Sequence, residues 1–227
     1  MKYYPVYLDI NNKACLVVGG GDVGTRKVKT LLDCGAAVTV VSPKSTHELL
    51  KLAESGAISL KRRHFRNEDL EGMFLVIGAT DDAELNQFLS REAFARNMLC
   101  NIADRPEACN FILPSIVNRG DLIIAVSTSG TSPAYAKTLR KELEKRFGPE
   151  YADFLGIMGE LRAKLLKTAH APEAHKNLFE ALIRSDLLRW VKNKDIPRIN
   201  EILRQLFGKE YEIDTLPTEK SGPEEAP

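Results

Sequence analysis

"VVGGGDVGTRK", Val17 to Lys27, follows an apolar run and opens an amphipathic one. Its three consecutive glycines admit two readings: a tight turn and nothing more, or a loop whose main-chain amides cradle the phosphates of a dinucleotide. Gly19, Gly21 and Gly24 fit the spacing G-x-G-x-x-G, and a strand before and a helix after are the context that gives this pattern weight. In that arrangement Gly19 permits the turn, Gly21 lets the backbone approach a pyrophosphate, and Gly24 lets the helix pack closely on the strand. The phosphates then sit on unpaired N–H groups at the positive end of the helix. Gly24 lies four residues before Val28 and so shares its buried face.

Outward from this stretch, between Ala14 and about Asn101, short apolar runs alternate with amphipathic segments. The runs are "ACLVV", "AAVTVV", "AISLKRR", "FLVIGAT" and "LCNIA". Most are continuous, as expected of parallel strands covered on both faces, and the rhythm predicts an α/β, Rossmann-type doubly wound sheet. "DVGTRKVKTLLDCG" sets Gly24, Val28, Leu31 and Leu32 on one face and closes with Gly35. "TDDAELNQFLSREAFARN" opens with Asp81 three residues before Glu84, a capping-box spacing.

The second run ends "VTVVSPKS", so Ser42 stands where a nicotinamide-dinucleotide unit usually carries an acid for the ribose hydroxyls. Ser42 can still hydrogen-bond a ribose, and Lys44 tolerates a 2′-phosphate; on the residues alone NAD and NADP both stay open. Thr80, after the fourth run, and Asn101 to Asp104, after the fifth, converge on the same carboxyl edge of the expected sheet. Asp104 is a carboxylate placed to act as a general base beside a hydride acceptor, or else a turn residue in "ADRPE".

The pattern then changes. "NFILPSIVNRGDLIIAVS" reads as an antiparallel hairpin turning at Asn118 to Asp121. "STSGTSP" follows, with Ser132 and Pro133 as N-cap and first residue of a helix that ends at Gly148 and Pro149. Capping explains those two without Ser127 or Thr128, which mark a candidate anion site. Lys137, Arg140, Lys141, Arg105 and Arg119 are candidates to pair with an acidic substrate, although a solvated face is the commoner meaning of such charges. Beyond Pro149, "EYADFLGIMGELRAKLLKTA", "HKNLFEALIRSDLLRWVKN" and "IPRINEILRQLFG" carry helical spacing. The chain ends in a Pro- and Glu-rich stretch expected to be disordered. The expected organisation is a dinucleotide-binding domain over 1–113, a hairpin and helix region over 114–148, a helical domain over 149–210, and a tail over 211–227.

The balance of 32 basic against 31 acidic residues excludes recruitment of nucleic acid by global charge. Cys15, Cys34, Cys100 and Cys109 form no C-x-x-C pair, which argues against a zinc ribbon or a disulfide framework; they read as reduced core thiols. His47, His64, His170 and His175 are scattered, and no metal site is expected. No run approaches the roughly 18 apolar residues of a membrane span, and the first residues lack a signal-peptide layout, so a cytoplasmic protein without membrane partners is expected.

"YPVYLDINNKACLVVGGGDVGTRKVKTLLDCGAAVTVVSP", "IGATDD" and "NIADRPEACNFILPSIVNRGDLIIAVSTSGTSPAYAKTLRKELE" together resemble the siroheme synthase N-terminal module, that is, precorrin-2 dehydrogenase, in some members combined with sirohydrochlorin ferrochelatase. The resemblance covers roughly residues 3 to 147. It implies NAD-dependent oxidation of the tetrapyrrole precorrin-2 to sirohydrochlorin, in a homodimer to whose interface the hairpin contributes, with NAD rather than NADP. Ferrous iron enters only as a substrate of the alternative, bifunctional reading; the remaining alternative is a non-catalytic NAD-responsive binding module. By the resemblance, Asp22, Val23, Pro43 and Lys44 match cofactor-contacting positions and Asp104 the catalytic aspartate. Some members carry serine where this chain has Thr128.

Overall fold

The computed structural model describes residues 2–168 and 172–220. The chain forms two compact units, Met1–Leu113 and Pro114–Pro227.

In the first unit strands and helices alternate: β1 (Ala14–Gly20), α1 (Asp22–Asp33), β2 (Ala37–Ser45), α2 (His47–Glu54), β3 (Ser59–Lys61), β4 (Leu75–Gly78), α3 (Ala83–Ala95) and β5 (Leu99–Ile102). The strands form one parallel sheet in the order β3-β2-β1-β4-β5. The chain therefore reverses its winding direction between β1 and β4, the switch point at which such sheets bind ligands. Residues of β1 alternate between two cores: Cys15 and Val17 pack with Val28, Leu31 and Leu49, whereas Leu16 and Val18 pack with Leu89, Ala93 and Ile102. Burial on both faces is why this strand reads as an unbroken apolar run. The helix α1 buries Gly24, Thr25, Val28 and Leu31 and stops at Cys34, with Gly35 at φ +73°. The cap of α3 is Asp82, whose side chain accepts from the Leu85 N–H at 3.0 Å, and not Asp81. Glu84 is then only the second helical residue, one short of the reciprocal capping-box position.

Between β3 and β4 a 3-10 turn, Asn67–Leu70, buries the carboxylate of Asp69. It accepts from both terminal nitrogens of Arg63 at 2.7 Å, from Lys61 Nζ at 2.9 Å and from the Arg66 N–H at 2.9 Å. The Arg63 hydrogen bonds outweigh burial and, with Lys61 and the Arg66 amide, hold this carboxyl well below the usual carboxylate range.

The second unit opens with an antiparallel hairpin, β6 (Ser115–Arg119) and β7 (Leu122–Val126). Arg119 pairs with Leu122, so the turn is Gly120 and Asp121 alone, and Gly120 takes φ +63°. Two helices, α4 (Pro133–Arg146) and α5 (Glu150–Thr168), pack on the hairpin. The remainder is α6 (Pro172–Arg184), α7 (Leu187–Lys192), α8 (Ile196–Phe207) and α9 (Pro217–Lys220) around Ile157, Leu161, Leu182, Leu187, Ile199 and Leu203. The stretch read as one helix after His175 is two, broken where the Ser185 hydroxyl donates to the Leu182 carbonyl and accepts from the Leu187 N–H.

Two further expectations are corrected. The chain from 211 onward is not simply a solvated tail: Tyr211, Ile213 and Leu216 are buried in this core. The amide and hydroxyl of Thr218 donate to Asp153 Oδ1 at 2.8 and 2.7 Å. Apolar residues spaced between prolines and acids hid the anchor; residues 221–227, like His170, lie outside the described residues. Nor are all four free thiols in the core, since Cys34 is exposed at the end of α1.

Because the Asp69 carboxyl is held below its unfolded value, its stabilisation is complete above about pH 4 and is lost as pH falls towards its folded value. Asp69→Asn is expected to lower the melting temperature at neutral pH by on the order of 5 °C. The gap from wild type should shrink below pH 4 in thermal scans at a series of pH values.

Candidate functional site

At the carboxyl end of β1 the glycines divide between two jobs. Gly19 takes φ +117°, and a Cβ there would lie 2.1 Å from the Ala79 carbonyl oxygen. A Cβ on Gly24 would lie 2.2 Å from the Gly19 carbonyl oxygen. These two positions lock β1, α1 and the end of β4 together at backbone contact. A Cβ on Gly21 would meet nothing within 4 Å, so the mouth of the loop is open. Gly21 is also the N-cap of α1, and no side chain caps it. The first-turn amides, from the exposed Asp22 and the half-buried Val23 onward, therefore lack an intrahelical acceptor and point out of the helix start.

A second helix begins at the same place. The Thr46 N–H donates to the Gly20 carbonyl at 2.9 Å, while the Thr46 hydroxyl caps α2 and lies 2.8 Å from the hydroxyl of the buried Thr25. Thr25 in turn donates to the Gly21 carbonyl. Two positive helix ends thus meet at one loop, an arrangement suited to an anion as long as a pyrophosphate.

The carboxyl end of β2 bulges here. Val18 pairs with Val41 and Gly20 with Ser45, so Ser42, Pro43 and Lys44 include two extra residues beside the glycine loop. Pro43 and Lys44 are exposed. The buried Ser42 donates its hydroxyl to the Lys44 carbonyl at 2.6 Å, which closes the bulge and leaves only its lone pairs to meet a ribose. The neighbouring Ser45 hydroxyl is buried with no hydrogen-bond partner among the described residues. After β4, Thr80 accepts from the Asp82 N–H, and its carbonyl accepts from Asn86 Nδ2 at 2.8 Å, fixing the turn into α3.

Asp104 is exposed in the turn after β5 at φ +59°. Burial, then Arg26, pushes the half-buried Lys27 ammonium down, and the carboxylate of Asp104 draws it back up. A cation on the second turn of α1 and this carboxylate therefore act on each other at the same sheet edge. Arg105 beside it is exposed.

Three candidates belong to the second unit. Arg119 does not present a free guanidinium: it donates to the carbonyls of Phe147, Asn118 and Glu144, capping the end of α4. A cation spent on carbonyls at the negative end of a helix is structural. Ser127 and Thr128 are also needed locally, since their hydroxyls accept from the Ser129 and Ser132 amides and shape the turn before α4. Each keeps a hydroxyl proton for a further acceptor.

Sequence reading missed Gly20, Thr25, Lys27, Ser45, Thr46 and Asn86. Thr46 carries a signal, a threonine just ahead of "HELLKLAE". The others owe their places to contacts between distant segments, which no local spacing encodes.

A family model described as NAD(P)-binding matches residues 6–115, and one described as the central part of sirohaem biosynthesis protein matches 119–146. By these two matches the chain is similar to the siroheme synthase N-terminal module family. This module is 36% identical over 208 residues to siroheme synthase 2 of Yersinia enterocolitica, covering 91% of the chain and 44% of that protein. It is 44% identical over 162 residues to the siroheme synthase of Methylobacillus flagellatus, covering 71% of the chain and 35% of that protein. The module thus spans under half the length of these relatives. A solved structure described as SirC, precorrin-2 dehydrogenase, superposes with a TM-score of 0.77 at 28% identity, covering 90% of the chain and 98% of its own.

The glycines separate packing from binding. Gly24→Ala, with no room for its methyl group, is expected to lower the melting temperature by roughly 5 °C or more. Gly21→Ala should stay within about 2 °C of wild type yet weaken NAD binding about tenfold, measured by calorimetric titration.

Proposed function

We propose that this chain is an NAD-dependent precorrin-2 dehydrogenase, forming sirohydrochlorin in siroheme biosynthesis. The observation that carries the reading is the open glycine loop and exposed Asp104 on one edge of one parallel sheet, in a chain that covers 98% of SirC.

The residues fit the cofactor. The open mouth at Gly21 with the amides of Asp22 and Val23 would hold the pyrophosphate, Gly19 and Gly24 keep that loop tight against the sheet, the Ser42-Pro43-Lys44 bulge would border the ribose, and Thr80 lies in the turn after β4. Bound NAD supplies the acceptor for the hydride that leaves the tetrapyrrole. Asp104 takes the accompanying proton and returns it to water, for which its exposure suits it. The acetate and propionate arms of the substrate call for cations and N–H or O–H donors. In the first unit Lys27 and Arg105 are the cations suited to such arms; taken by itself, the second unit offers the retained hydroxyl protons of Ser127 and Thr128, while its Arg119 is committed to main-chain carbonyls.

The name siroheme synthase carried by the relatives favours a second activity, entry of ferrous iron as substrate into sirohydrochlorin, with Asp104 accepting the displaced pyrrole protons. A homodimer belongs to the same proposal. The hairpin turns Ile116 and Ile123, 41% and 44% exposed, to the same face as Ala125. Exposed isoleucines beside Asn118 on one hairpin face are suited to association with a second copy. Free cysteines, Cys34 among them exposed, suit a reducing cytoplasm. Among the described residues no helix is long and apolar enough to cross a membrane.

Asp104→Asn should bind NAD with wild-type affinity and reduce it with precorrin-2 at least about 100-fold more slowly. NAD reduction at the wild-type rate by this variant, followed at 340 nm under anaerobic conditions, would remove Asp104 from the chemistry.

A further inference from the structure

The last strand of the sheet, β5, pairs with no strand on its outer side among the described residues, yet its edge is not bare. The Asn110 side chain accepts from the Cys100 N–H and donates to the Met98 carbonyl, both at 2.8 Å, and the Asn110 N–H donates to the Cys100 carbonyl at 3.1 Å. One residue earlier in the chain, Cys109 continues the same edge. Its sulfur accepts from the Ile102 N–H at 3.1 Å and lies 3.4 Å from the Ile102 carbonyl oxygen and 3.2 Å from that of Arg105.

Ile102 and Arg105 are the first and last residues of the turn that carries Asp104. That turn is closed by a single backbone hydrogen bond, Arg105 N–H to Ile102 carbonyl, at 3.3 Å. Asp104 occupies its third position at φ +59°, a conformation that glycine adopts freely and asparagine or aspartate only occasionally. A non-glycine residue in that region carries a backbone cost that contacts around the turn must offset.

We infer that Cys109 is a positioning residue for Asp104: its thiol bridges the two ends of the turn and holds the carboxylate in its left-handed conformation. The inference rests on the reading of Asp104 as the proton acceptor. Burial pushes the Cys109 thiol up, which keeps its proton in place for donation to a carbonyl. Serine at this position keeps a donor and an acceptor on a shorter arm; alanine keeps neither.

The test measures kcat, the KM values for NAD and precorrin-2, and the melting temperature for Cys109→Ala, Cys109→Ser and Asp104→Asn, and for Cys109→Ala combined with Asp104→Asn. Cys109→Ala should lower kcat about tenfold with the KM for NAD within about twofold of wild type, and Cys109→Ser should recover part of the loss. On the Asp104→Asn background the cysteine substitution should cost nothing further, because its effect passes through the carboxylate. Full turnover in Cys109→Ala, or a loss that multiplies with that of Asp104→Asn, overturns the positioning role. If Cys109→Ala fails to fold, Cys109→Ser carries the same comparison. Wild-type turnover in Asp104→Asn alone would instead overturn the functional reading beneath it.

Discussion

The contact on which the first unit depends is between backbones, not side chains. At Gly19 the chain leaves β1 so close to the end of β4, and at Gly24 the helix passes so close to that turn, that neither position has room for a methyl group. That closeness puts the start of α1 against the sheet at its switch point, with its amides directed into the open mouth at Gly21. Thr25 and Thr46 then bring the second helix to the same loop through two hydrogen bonds to its carbonyls and a shared hydroxyl contact. Because the glycines carry no side chain, almost all of the binding surface at this loop is peptide, which recognises phosphate chemistry irrespective of the rest of the ligand.

Much of this was legible in the sequence because it is local. Strand, glycine spacing and helix face all fall within Ala14 to Gly35, and the continuous apolar runs declared a sheet covered on both sides. What was not legible depends on where distant segments meet. The hydroxyl of Ser42 invites a ribose contact until the bulge directs it to its own Lys44 carbonyl. Arg119 looks like a substrate cation until the hairpin delivers it to the end of α4. The apolar residues after Gly208 are few and spaced among acids and prolines, so composition concealed an anchor that a core of helices makes evident.

The polar groups divide by role in a way that residue type alone does not reveal. Asp69 and Asp104 are both carboxylates after strands of the same sheet. One is sealed beneath an arginine, a lysine and an amide and serves the fold. The other stands in the open on a turn whose geometry it does not itself stabilise. Hydroxyls divide similarly: Ser132 completes a helix start, whereas Ser127 and Thr128 shape the approach to it with a proton to spare.

The outer side of β5 has one more consequence. A strand at the margin of a sheet is a template for any extended peptide, including a nascent copy of the same chain. Here an asparagine amide imitates a neighbouring backbone and a thiol takes the next rung, so the ladder is terminated from within and offers no register to an incoming strand. Sheet growth is thereby self-limited at this margin, without a further strand of chain to close it.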